Sequence, residues 1–551
     1  MAIWARAIGG AGTGKTSMMK KTAESALQRP ELGKNPFLLG FSSFTRAARL
    51  EAAMRCGKAW GVAPEELMRD GWFRTAHSVC HRQLDIQKGE LITGKKEDVK
   101  WVSEAVGSDV RFEIDDDESG GVSIYQGDEV AAAALNYWSL ARNLVRPLRE
   151  VVEADQDPDA PSADEVIARI KMYETAKRIE HRCDFTDMMA RFVGVRFDPE
   201  SGPDFVAPEG AVPNEVVMWI FDEAQDASRL LDMACRRLVT GESCKWAWLV
   251  GDPYQVLYSW AGASASHFMS WDVSKQHVMP QSFRCPRDIM MAGERCLQQI
   301  PDYWDRGIAP ADHDGEVVES EDFEDDLSDL RPDQETLVIA RTGKTVHKIA
   351  AILEDVGVPY RYIKQKGGAT NRELGMSGLW KLQHGEGISG EAWGIAMEML
   401  PWKTPDGTTW LERGTKALWK RELCQRFDRV YPEHLPELGA TEPLLKAIAD
   451  GSWGHLPDGG TKWVTAAKRW GVDAVSAPNI RIGTVHSAKG MEADNVIMVT
   501  ATNHRIRMAE EMDQERFNEE RRIEYVACTR ARRRLVVAHD PRARYRMEIP
   551  L

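Results

Sequence analysis

Several features that would place this chain in a membrane, a secretory pathway or a zinc-ribbon family are missing from its sequence. It contains no run of about eighteen apolar residues, so no transmembrane helix is predicted. The first ten residues lack the charged and long apolar regions of a signal peptide. The nine cysteines are scattered without a CxxC pair, which argues against a zinc ribbon or a cysteine-ligated iron–sulfur cluster and suits a reducing cytosol.

A net excess of basic residues is also missing, because the formal net charge is −14 at pH 7. Composition alone therefore does not suggest a nucleic-acid partner. Basic residues nevertheless cluster at 521–522, 530–534 and 542–546, and the distribution of charge matters more than its sum. With 551 residues, 43% of them hydrophobic, the chain has the composition of a globular protein of several domains.

Short apolar runs alternate with long helical patterns, which predicts an α/β fold with parallel sheets covered by helices on both faces. The predicted strands are Ile3–Ile8, Phe37–Phe41, Val216–Phe221, Trp246–Val250, Thr336–Ala340 and Val496–Val499. Residues 84–180 are acidic and mainly helical in pattern. Residues 375–475 hold 8 of the 19 tryptophans, which indicates either a small helical domain with aromatic packing or a surface that stacks on bases or binds a partner.

A glycine-rich loop follows the first predicted strand. Residues Gly9–Thr16 (GGAGTGKT) fit G-x-x-x-x-G-K-[ST] in full, and a helical stretch, Ser17–Leu27, comes next. This is the context in which such a loop binds phosphate, because its amides and the helix N-terminus point at the anion. The phosphate-binding residues are predicted to be Gly9, Gly12, Gly14, Lys15, Thr16 and Ser17. Lys15 is expected to reach the β- and γ-phosphates of ATP, and the Thr16 hydroxyl to ligate Mg²⁺.

An acidic pair follows the third predicted strand, in the string Asp222–Asp226 (DEAQD). In parallel sheets the nucleotide lies at the carboxyl ends of the strands. Asp222 is therefore predicted to hold Mg²⁺, directly or through water. Glu223 is predicted to orient and deprotonate the attacking water.

At this point the residues resemble a known family, the UvrD/Rep-type superfamily 1 DNA helicases, whose motif II is similar to DEAQD. Seven further strings resemble other family motifs, and they occur in the family's order. These are Phe41–Ala48 (FSSFTRAA), Thr75–Ser78 (TAHS), Asp184–Met189 (DFTDMM), Gly251–Ala263 (GDPYQVLYSWAGA), Gln281–Pro286 (QSFRCP), Thr484–Glu492 (TVHSAKGME) and Glu519–Ala531 (EERRIEYVACTRA). The compact form suggests a phage or mobile-element origin, and the expected location is the cytoplasm of a bacterial or phage-infected cell.

The resemblance implies two RecA-like P-loop domains with parallel sheets, each carrying a mostly helical insertion. ATP would bind in the cleft between the two lobes. The implied boundaries are 1–83 with 181–275 for the first lobe, 84–180 for its insertion, 276–374 with 476–551 for the second lobe, and 375–475 for a reduced, tryptophan-rich insertion. Gln255 resembles the γ-phosphate sensor, Arg284 and Arg530 resemble two arginine fingers of the second lobe, and Glu492 resembles a residue near the ribose.

The resemblance also implies a track for single-stranded DNA or for junctions of single- and double-stranded DNA. Tyr258 and Trp260 resemble a pair on which bases stack, and their spacing would put both on one side of an extended segment. The residues expected to contact phosphates are Arg46, Thr75, His77, Thr484 and His486. For Tyr258 and Trp260 the alternative is a role in the core, and for His77 it is a packed or surface position. Movement in the 3′→5′ direction is implied by the TVHSAKG string and the DFTD box.

Three departures from the family pattern bear on function. Only eight residues precede Gly9, so the family's adenine-reading glutamine segment is not seen and the selectivity for ATP is left open. Ser43 stands where a base-contacting phenylalanine is usual, with Phe44 one residue away. The insertion at 375–475 is short and has no duplex-contacting hairpin motif.

The leading hypothesis is a monomeric 3′→5′ DNA helicase or translocase. The alternative is a DNA-stimulated ATPase that remodels protein–DNA complexes, with a protein partner bound through residues 375–475. A helicase–nuclease subunit is disfavoured because about twenty residues follow the last motif, and a nucleotide kinase is disfavoured by the later motifs. An RNA substrate stays open, since stacking and phosphate contacts do not read the sugar.

Overall fold

The computed structural model describes residues 3–43, 46–87, 89–114, 123–155, 157, 159–363, 370–422, 426–456 and 460–551. These residues form two compact units. The first comprises residues 1–313 and 513–529, and the second comprises residues 314–512 and 530–551. Each unit is built around its own parallel β-sheet.

The sheet of the first unit has six parallel strands in the described part of the chain. In chain order the strands are β1 (Ile3–Ile8), β2 (Leu39–Ser43), β3 (Trp72–Thr75), β8 (Met218–Asp222), β9 (Trp246–Gly251) and β10 (Lys275–Val278). Their spatial order is β10-β1-β9-β8-β2-β3. The strands β1, β8 and β9 are therefore neighbours, and their carboxyl ends meet at one edge of the sheet.

The rest of the first unit is mainly helical. In chain order its helices are α1 (Lys15–Leu27), α2 (Arg46–Trp60), α3 (Pro64–Arg69), α4 (Ala76–Gln83), α5 (Lys96–Val106), α6 (Glu129–Leu144), α7 (Leu148–Glu153), α8 (Ala163–Ile179), α9 (Phe185–Val193), α10 (Arg229–Leu238), α11 (Ala265–Met269), α12 (Arg287–Leu297) and α22 (Gln514–Cys528). Two pairs of short strands, β4 (Val110–Ile114) with β5 (Ser123–Gly127) and β6 (Val195–Asp198) with β7 (Gly202–Phe205), form separate antiparallel ribbons.

Successive residues of the central strands enter hydrophobic clusters on opposite faces of the sheet. Trp219 and Leu249 belong to one cluster, whereas the next residues, Ile220 and Val250, belong to the other. All four side chains are almost fully buried. Since side chains alternate across a strand, a continuous apolar run is what a sheet covered on both faces requires.

The insertion at 84–180 has a hydrophobic core of its own, which includes Trp138 and Tyr173. Helices α5 to α8 supply most of this core, as the helical pattern predicted. The antiparallel hairpin of β4 and β5 is an addition that the acidic composition did not indicate.

The DFTD string joins this insertion to α9 through buried charges. Asp184 and Asp187 cap the N-terminus of α9 reciprocally, each side chain accepting the backbone N–H of the other residue. Arg142 of α6 donates to Asp184 at 2.9 Å and to Asp187 at 2.8 Å, and Lys177 of α8 donates to Asp187 at 2.6 Å. The string therefore has a structural role that ties three helices together.

The sheet of the second unit also has six parallel strands among the described residues. They are β11 (Glu316–Ser320), β12 (Thr336–Ala340), β13 (Arg361–Tyr362), β16 (Ile480–Thr484), β17 (Ala493–Val499) and β18 (Ala531–Ala538), in the spatial order β11-β18-β17-β12-β16-β13. The helices of this unit are α13 (Phe323–Ser328), α14 (Gly343–Asp355), α15 (Asn371–Gln383), α16 (Gly390–Met399), α17 (Thr415–Arg421), α18 (Glu442–Ala449), α19 (Gly460–Trp470), α20 (Val472–Ser476) and α21 (His504–Met512). A two-stranded ribbon, β14 (Ile388–Ser389) with β15 (Arg429–Val430), accompanies α15 to α17.

The tryptophans of residues 375–475 pack mainly into a separate core. Trp393 and Trp453 are fully buried and Trp419 is 5% exposed, whereas Trp402 is 52% exposed. This distribution favours aromatic packing over a stacking surface. In the described part of the chain, no helix has both the length and the apolar character that crossing a bilayer requires.

Candidate functional site

The glycine-rich loop leaves the carboxyl end of β1 and enters α1 at Lys15. Gly12 and Gly14 have φ angles of 68° and 80°, a left-handed backbone that glycine adopts without a steric penalty. The Nζ of Lys15 donates to the carbonyl of Gly9 at 3.0 Å, and the hydroxyl of Thr13 donates to the carbonyl of Gly10 at 3.0 Å. Such a loop at a helix N-terminus is suited to a phosphate group.

The acidic pair stands where β8 ends. Asp222 is the last residue of the strand and is buried, and Glu223 has a φ of 50°, which is uncommon for a residue other than glycine. Burial and the neighbouring Glu223 raise the pKa of Asp222 to about 8, against the opposing effect of Lys15. The buried carboxylate of Asp222 and the partly buried carboxylate of Glu223 offer oxygen ligands of the kind that suits Mg²⁺.

A buried polar network links Glu223 to the segment after β9. The side-chain amide of Gln225 donates to Glu223 at 2.6 Å, and its oxygen accepts the backbone N–H of Asp252 at 3.1 Å. The amide of Gln255 donates to the carboxylate of Asp252 at 2.7 Å. Glu223 and Gln255, predicted as the base and the γ-phosphate sensor, are thus held on one network within the first unit.

Two residues of this network carry no predicted role. Arg306, which is 1% exposed at its side chain, donates to Asp252 at 2.6 Å and also pairs with Glu294. Tyr525 of α22 accepts the backbone N–H of Ala11 in the glycine-rich loop. Arg306 lies in a loop outside the family-like strings, so no sequence pattern pointed to it. Tyr525 lies inside the last of those strings, Glu519–Ala531.

Arg284 lies beside the glycine-rich loop, in the first unit. The backbone N–H of Phe283 donates to the carbonyl of Gly12 at 2.8 Å, and the hydroxyl of Ser282 donates to the carbonyl of Ala11 at 2.8 Å. A methyl group placed on Gly12 would lie 3.0 Å from the backbone nitrogen of Arg284 and overlap its Cβ. The resemblance assigned Arg284 to the second lobe, but the segment that carries it belongs to the compact unit that holds the loop.

Phe283 is a further residue that the sequence reasoning passed over. Its side chain is 71% exposed, the highest value among the exposed large hydrophobic residues of the described chain. A methyl group on Gly14 would lie 3.8 Å from two carbons of its ring. An exposed aromatic ring next to a phosphate loop is a platform on which a base can stack.

Arg530 and Glu492 belong to the second unit. The guanidinium of Arg530 is almost fully buried and donates to the carbonyl of Met491 at 3.2 Å. The carboxylate of Glu492 is exposed and pairs with Arg532 at 3.2 Å. The structure therefore brings Lys15, Asp222, Glu223, Gln255 and Arg284 into one unit, with Arg530 and Glu492 in the other.

The aromatic pair of the third string differs from the prediction in its backbone. Residues Ser259–Ala261 form a 3₁₀-helix, so the expectation of an extended segment is wrong. The chain turns there because Gly262, with a φ of 87°, closes the turn. Tyr258 is buried with Val256, and Trp260 is partly buried with its ring edge-on to Tyr258 at 6.3 Å.

Three predicted phosphate contacts of the first unit lie at or after the ends of β2 and β3. Thr75 caps α4, because its hydroxyl accepts the backbone N–H of Ser78. His77 lines a small cavity of about 30 Å³ together with Ser43 and Asp222, and burial lowers its pKa to about 4. Arg46 is exposed at the start of α2. Phe44, the residue next to Ser43, lies outside the described residues.

The two predicted contacts of the second unit lie at the end of β16. The hydroxyl of Thr484 accepts the backbone N–H of Ser487 at 3.2 Å, which fixes the turn that follows the strand. His486 is partly buried in that turn. This geometry accounts for Thr484 as a turn residue and leaves a contact to phosphate as a prediction.

The two parallel sheets and the phosphate loop at the first of them define a P-loop ATPase with two RecA-like domains. The family model of the UvrD/REP helicase N-terminal domain matches residues 6–276, and that of the UvrD-like helicase C-terminal domain matches residues 468–540. Together the two matches span more than half of the chain. The chain belongs to the UvrD/Rep-type superfamily 1 helicases, which are ATP-dependent enzymes that act on nucleic acid. A search of curated proteins found no match.

Proposed function

We propose that this helicase moves 3′→5′ along single-stranded DNA and couples ATP hydrolysis to closure of its two RecA-like lobes. One observation carries the proposal: the loop after β1, the acidic pair after β8 and the Asp252 network after β9 converge at one sheet edge. Such an edge is where parallel sheets bind nucleotides. The 3′→5′ polarity rests on the resemblance of the TVHSAKG string and the DFTD box to the family's motifs.

In the proposed site the amides of Gly9, Gly12 and Gly14, with Lys15 and Ser17, bind the phosphates of ATP. Thr16 and Asp222 hold Mg²⁺, which neutralises phosphate charge when bound. Phe283 supports the adenine by stacking, since its exposed ring lies beside the glycine-rich loop. The Glu492 carboxylate is assigned to the ribose on the resemblance alone.

The proposed chemistry is attack of water on the γ-phosphorus. Glu223 accepts a proton from that water, and the charge that develops on the phosphoryl oxygens is stabilised by Gln255, Arg284 and Arg530. Arginine suits this task because its guanidinium is planar and always charged. We propose that Arg530 joins the site when the lobes close, so that hydrolysis and opening alternate.

The proposed DNA track uses Trp260 as its stacking residue, because that ring retains exposed surface whereas the ring of Tyr258 is buried behind it. Arg46 is the strongest candidate for a phosphate contact, since its side chain is exposed. His77 would contribute as a neutral hydrogen-bonding group, because its lowered pKa excludes a charged imidazole at pH 7. Thr75, Thr484 and His486 stay in the proposal on resemblance.

The division into two lobes and two insertions, with boundaries after residues 83, 180, 275, 374 and 475, is likewise a proposal. The monomeric state and a protein partner at residues 375–475 are proposals too. The alternative function is a DNA-stimulated ATPase that remodels protein–DNA complexes with little unwinding. It is favoured by Trp402, which is 52% exposed within residues 375–475 and offers an aromatic side chain to a protein partner.

The test is ATP hydrolysis with and without single-stranded DNA, measured beside unwinding of forked duplexes of both polarities. Lys15→Ala and Arg530→Ala are expected to abolish turnover, and an arginine finger alone is typically worth about 10³–10⁵ in rate. Lys15→Ala should also weaken nucleotide binding, whereas Arg530→Ala should mostly spare it. Arg533→Ala is the matched control, since Arg533 is 76% exposed and three residues away. DNA-stimulated hydrolysis without unwinding on either fork would favour the alternative.

A further inference from the structure

The phenol of Tyr525 joins two parts of the site that are far apart in the chain. Tyr525 stands near the end of α22 and is 2% exposed. Its hydroxyl accepts the backbone N–H of Ala11 at 3.2 Å and donates to the carboxylate of Asp252 at 3.3 Å. One oxygen atom is thus bonded both to the phosphate loop and to the segment that carries the predicted sensor.

Asp252 is the centre of this arrangement and is fully buried. Besides Tyr525, its carboxylate accepts the backbone N–H of Tyr254 at 3.1 Å and the side-chain amide of Gln255 at 2.7 Å. Gln255 and Tyr525 share the same carboxylate oxygen, Oδ2. The orientation of the Gln255 amide therefore depends on the group that also anchors Tyr525.

Arg306 compensates the charge of this buried carboxylate, because its guanidinium pairs with the other oxygen at 2.6 Å. The guanidinium also lies over the ring of Tyr525, 5.2 Å from its centroid. Burial raises the pKa of Tyr525 well above its usual range, so the phenol stays protonated and can both donate and accept. A methyl group on Gly10 would lie 3.3 Å from the Tyr525 oxygen and 3.6 Å from Nη1 of Arg306, so both groups lie close to the loop.

We propose that Tyr525 is a positioning residue for ATP hydrolysis: its hydroxyl, held by the Ala11 amide, fixes the amide of Gln255 through Asp252. The distance between the glycine-rich loop and the side chain of Gln255 is then held constant. The inference rests on the proposed function, since it assigns Tyr525 to the same site. Misplacement of a reacting group by 1 Å can cost about 10²-fold in rate, so two hydrogen bonds at this point matter for turnover.

The test is Tyr525→Phe, which removes the hydroxyl and keeps the ring. At saturating single-stranded DNA, kcat for ATP hydrolysis is expected to fall about 10- to 100-fold. The KM for ATP should change by less than about threefold, because the loop glycines and Lys15 remain. Tyr173→Phe is the matched control: Tyr173 is also buried, and its hydroxyl donates to a buried carboxylate, Asp184, in the insertion. The control should keep the wild-type kcat.

A double-mutant cycle with Gln255→Ala identifies the route of the effect. If Tyr525 acts through the sensor, Tyr525→Phe should lower kcat by less than about twofold in the Gln255→Ala background. Melting curves of Tyr525→Phe and Tyr173→Phe, compared with wild type, report whether either hydroxyl matters merely for folding.

Three results would overturn the inference. These are a wild-type kcat in Tyr525→Phe, an equal loss in Tyr173→Phe, and a full loss that persists in the Gln255→Ala background. If wild type hydrolyses ATP and Lys15→Ala does not, while Tyr525→Phe is unaffected, the inference alone fails. If wild type shows no hydrolysis that depends on Lys15, the proposed function fails and this inference with it.

Discussion

Replacing Arg142 by alanine is expected to destabilise the junction between the insertion and α9. The side chain of Arg142 is 3% exposed, donates to both Asp184 and Asp187, and lies over the ring of Trp138 at 5.0 Å. Without it, the buried carboxylate of Asp184 and the partly buried carboxylate of Asp187 share the single ammonium of Lys177, which also pairs with Glu174. Removing one partner of a buried ion pair typically costs about 3–5 kcal/mol, and the lost ring contact favours the upper part of that range.

The cost should depend on pH in a defined direction. Burial and the adjacent Asp184 already raise the pKa of Asp187 to about 6. Loss of the guanidinium would raise that pKa further, so a proton can replace part of the missing charge in acid. The difference in stability between wild type and Arg142→Ala should therefore be smaller at pH 5 than at pH 7.5.

The assay is hydrogen exchange of peptides from α6, α8 and α9, with a melting curve as a global measure. Exchange resolves local opening, which a single unfolding midpoint cannot do in a chain of two units. Arg149→Ala is the control, because Arg149 and its partner Asp164 are 47% and 84% exposed and such surface pairs contribute about 0–1 kcal/mol. Equal effects of the two substitutions would refute the reasoning.

Three more predictions follow from single residues. His77→Gln should remove a pH-dependent part of the free energy of unfolding. The imidazole has a pKa near 6.5 in the unfolded chain and about 4 in the folded protein, so the unfolded chain binds the proton first as the pH falls. Wild type should therefore lose up to about 2 kcal/mol of stability between pH 7 and pH 5. Urea midpoints that fall equally in both proteins would contradict this. Gly12→Ala should abolish ATP hydrolysis, because the added methyl group would overlap Arg284. Gly61→Ala is the control, since Gly61 has the same φ of 68° and open space around it, and it should keep its activity. Equal activities of the two variants would contradict this prediction. Phe283→Ala should raise the KM for ATP, in a steady-state assay, more than it lowers kcat, and an unchanged KM would argue against stacking.

Much of the fold was predictable because a strand that is buried on both faces appears in the sequence as a continuous apolar run. The apolar runs Ile3–Ile8 and Thr336–Ala340 coincide with β1 and β12. The run Val216–Phe221 starts two residues before β8 and stops one residue short of Asp222, because hydropathy does not register where a ladder of hydrogen bonds begins or ends. Strands with charged residues, such as β11 and β18, were not predicted from apolar runs.

The candidate site was predictable where local patterns carry chemistry. The loop at Gly12 and the pair at Asp222 and Glu223 are strings whose residue types and flanks point to phosphate and metal. Arg306 could not be found in this way, because its role comes from a tertiary contact with Asp252 across 54 positions. Similarly, the Y-x-W spacing indicated neither the 3₁₀ turn after Tyr258 nor the burial of that residue.

The most direct test of the central claim is translocation measured by stopped-flow fluorescence on single-stranded DNA labelled at either end. Wild type mixed with ATP should reach a 5′-end label after a lag that lengthens in proportion to the number of nucleotides, and Lys15→Ala should give no such signal. A lag that is independent of DNA length, or one that needs no ATP, would contradict the account of a motor driven from the loop at Gly9–Thr16.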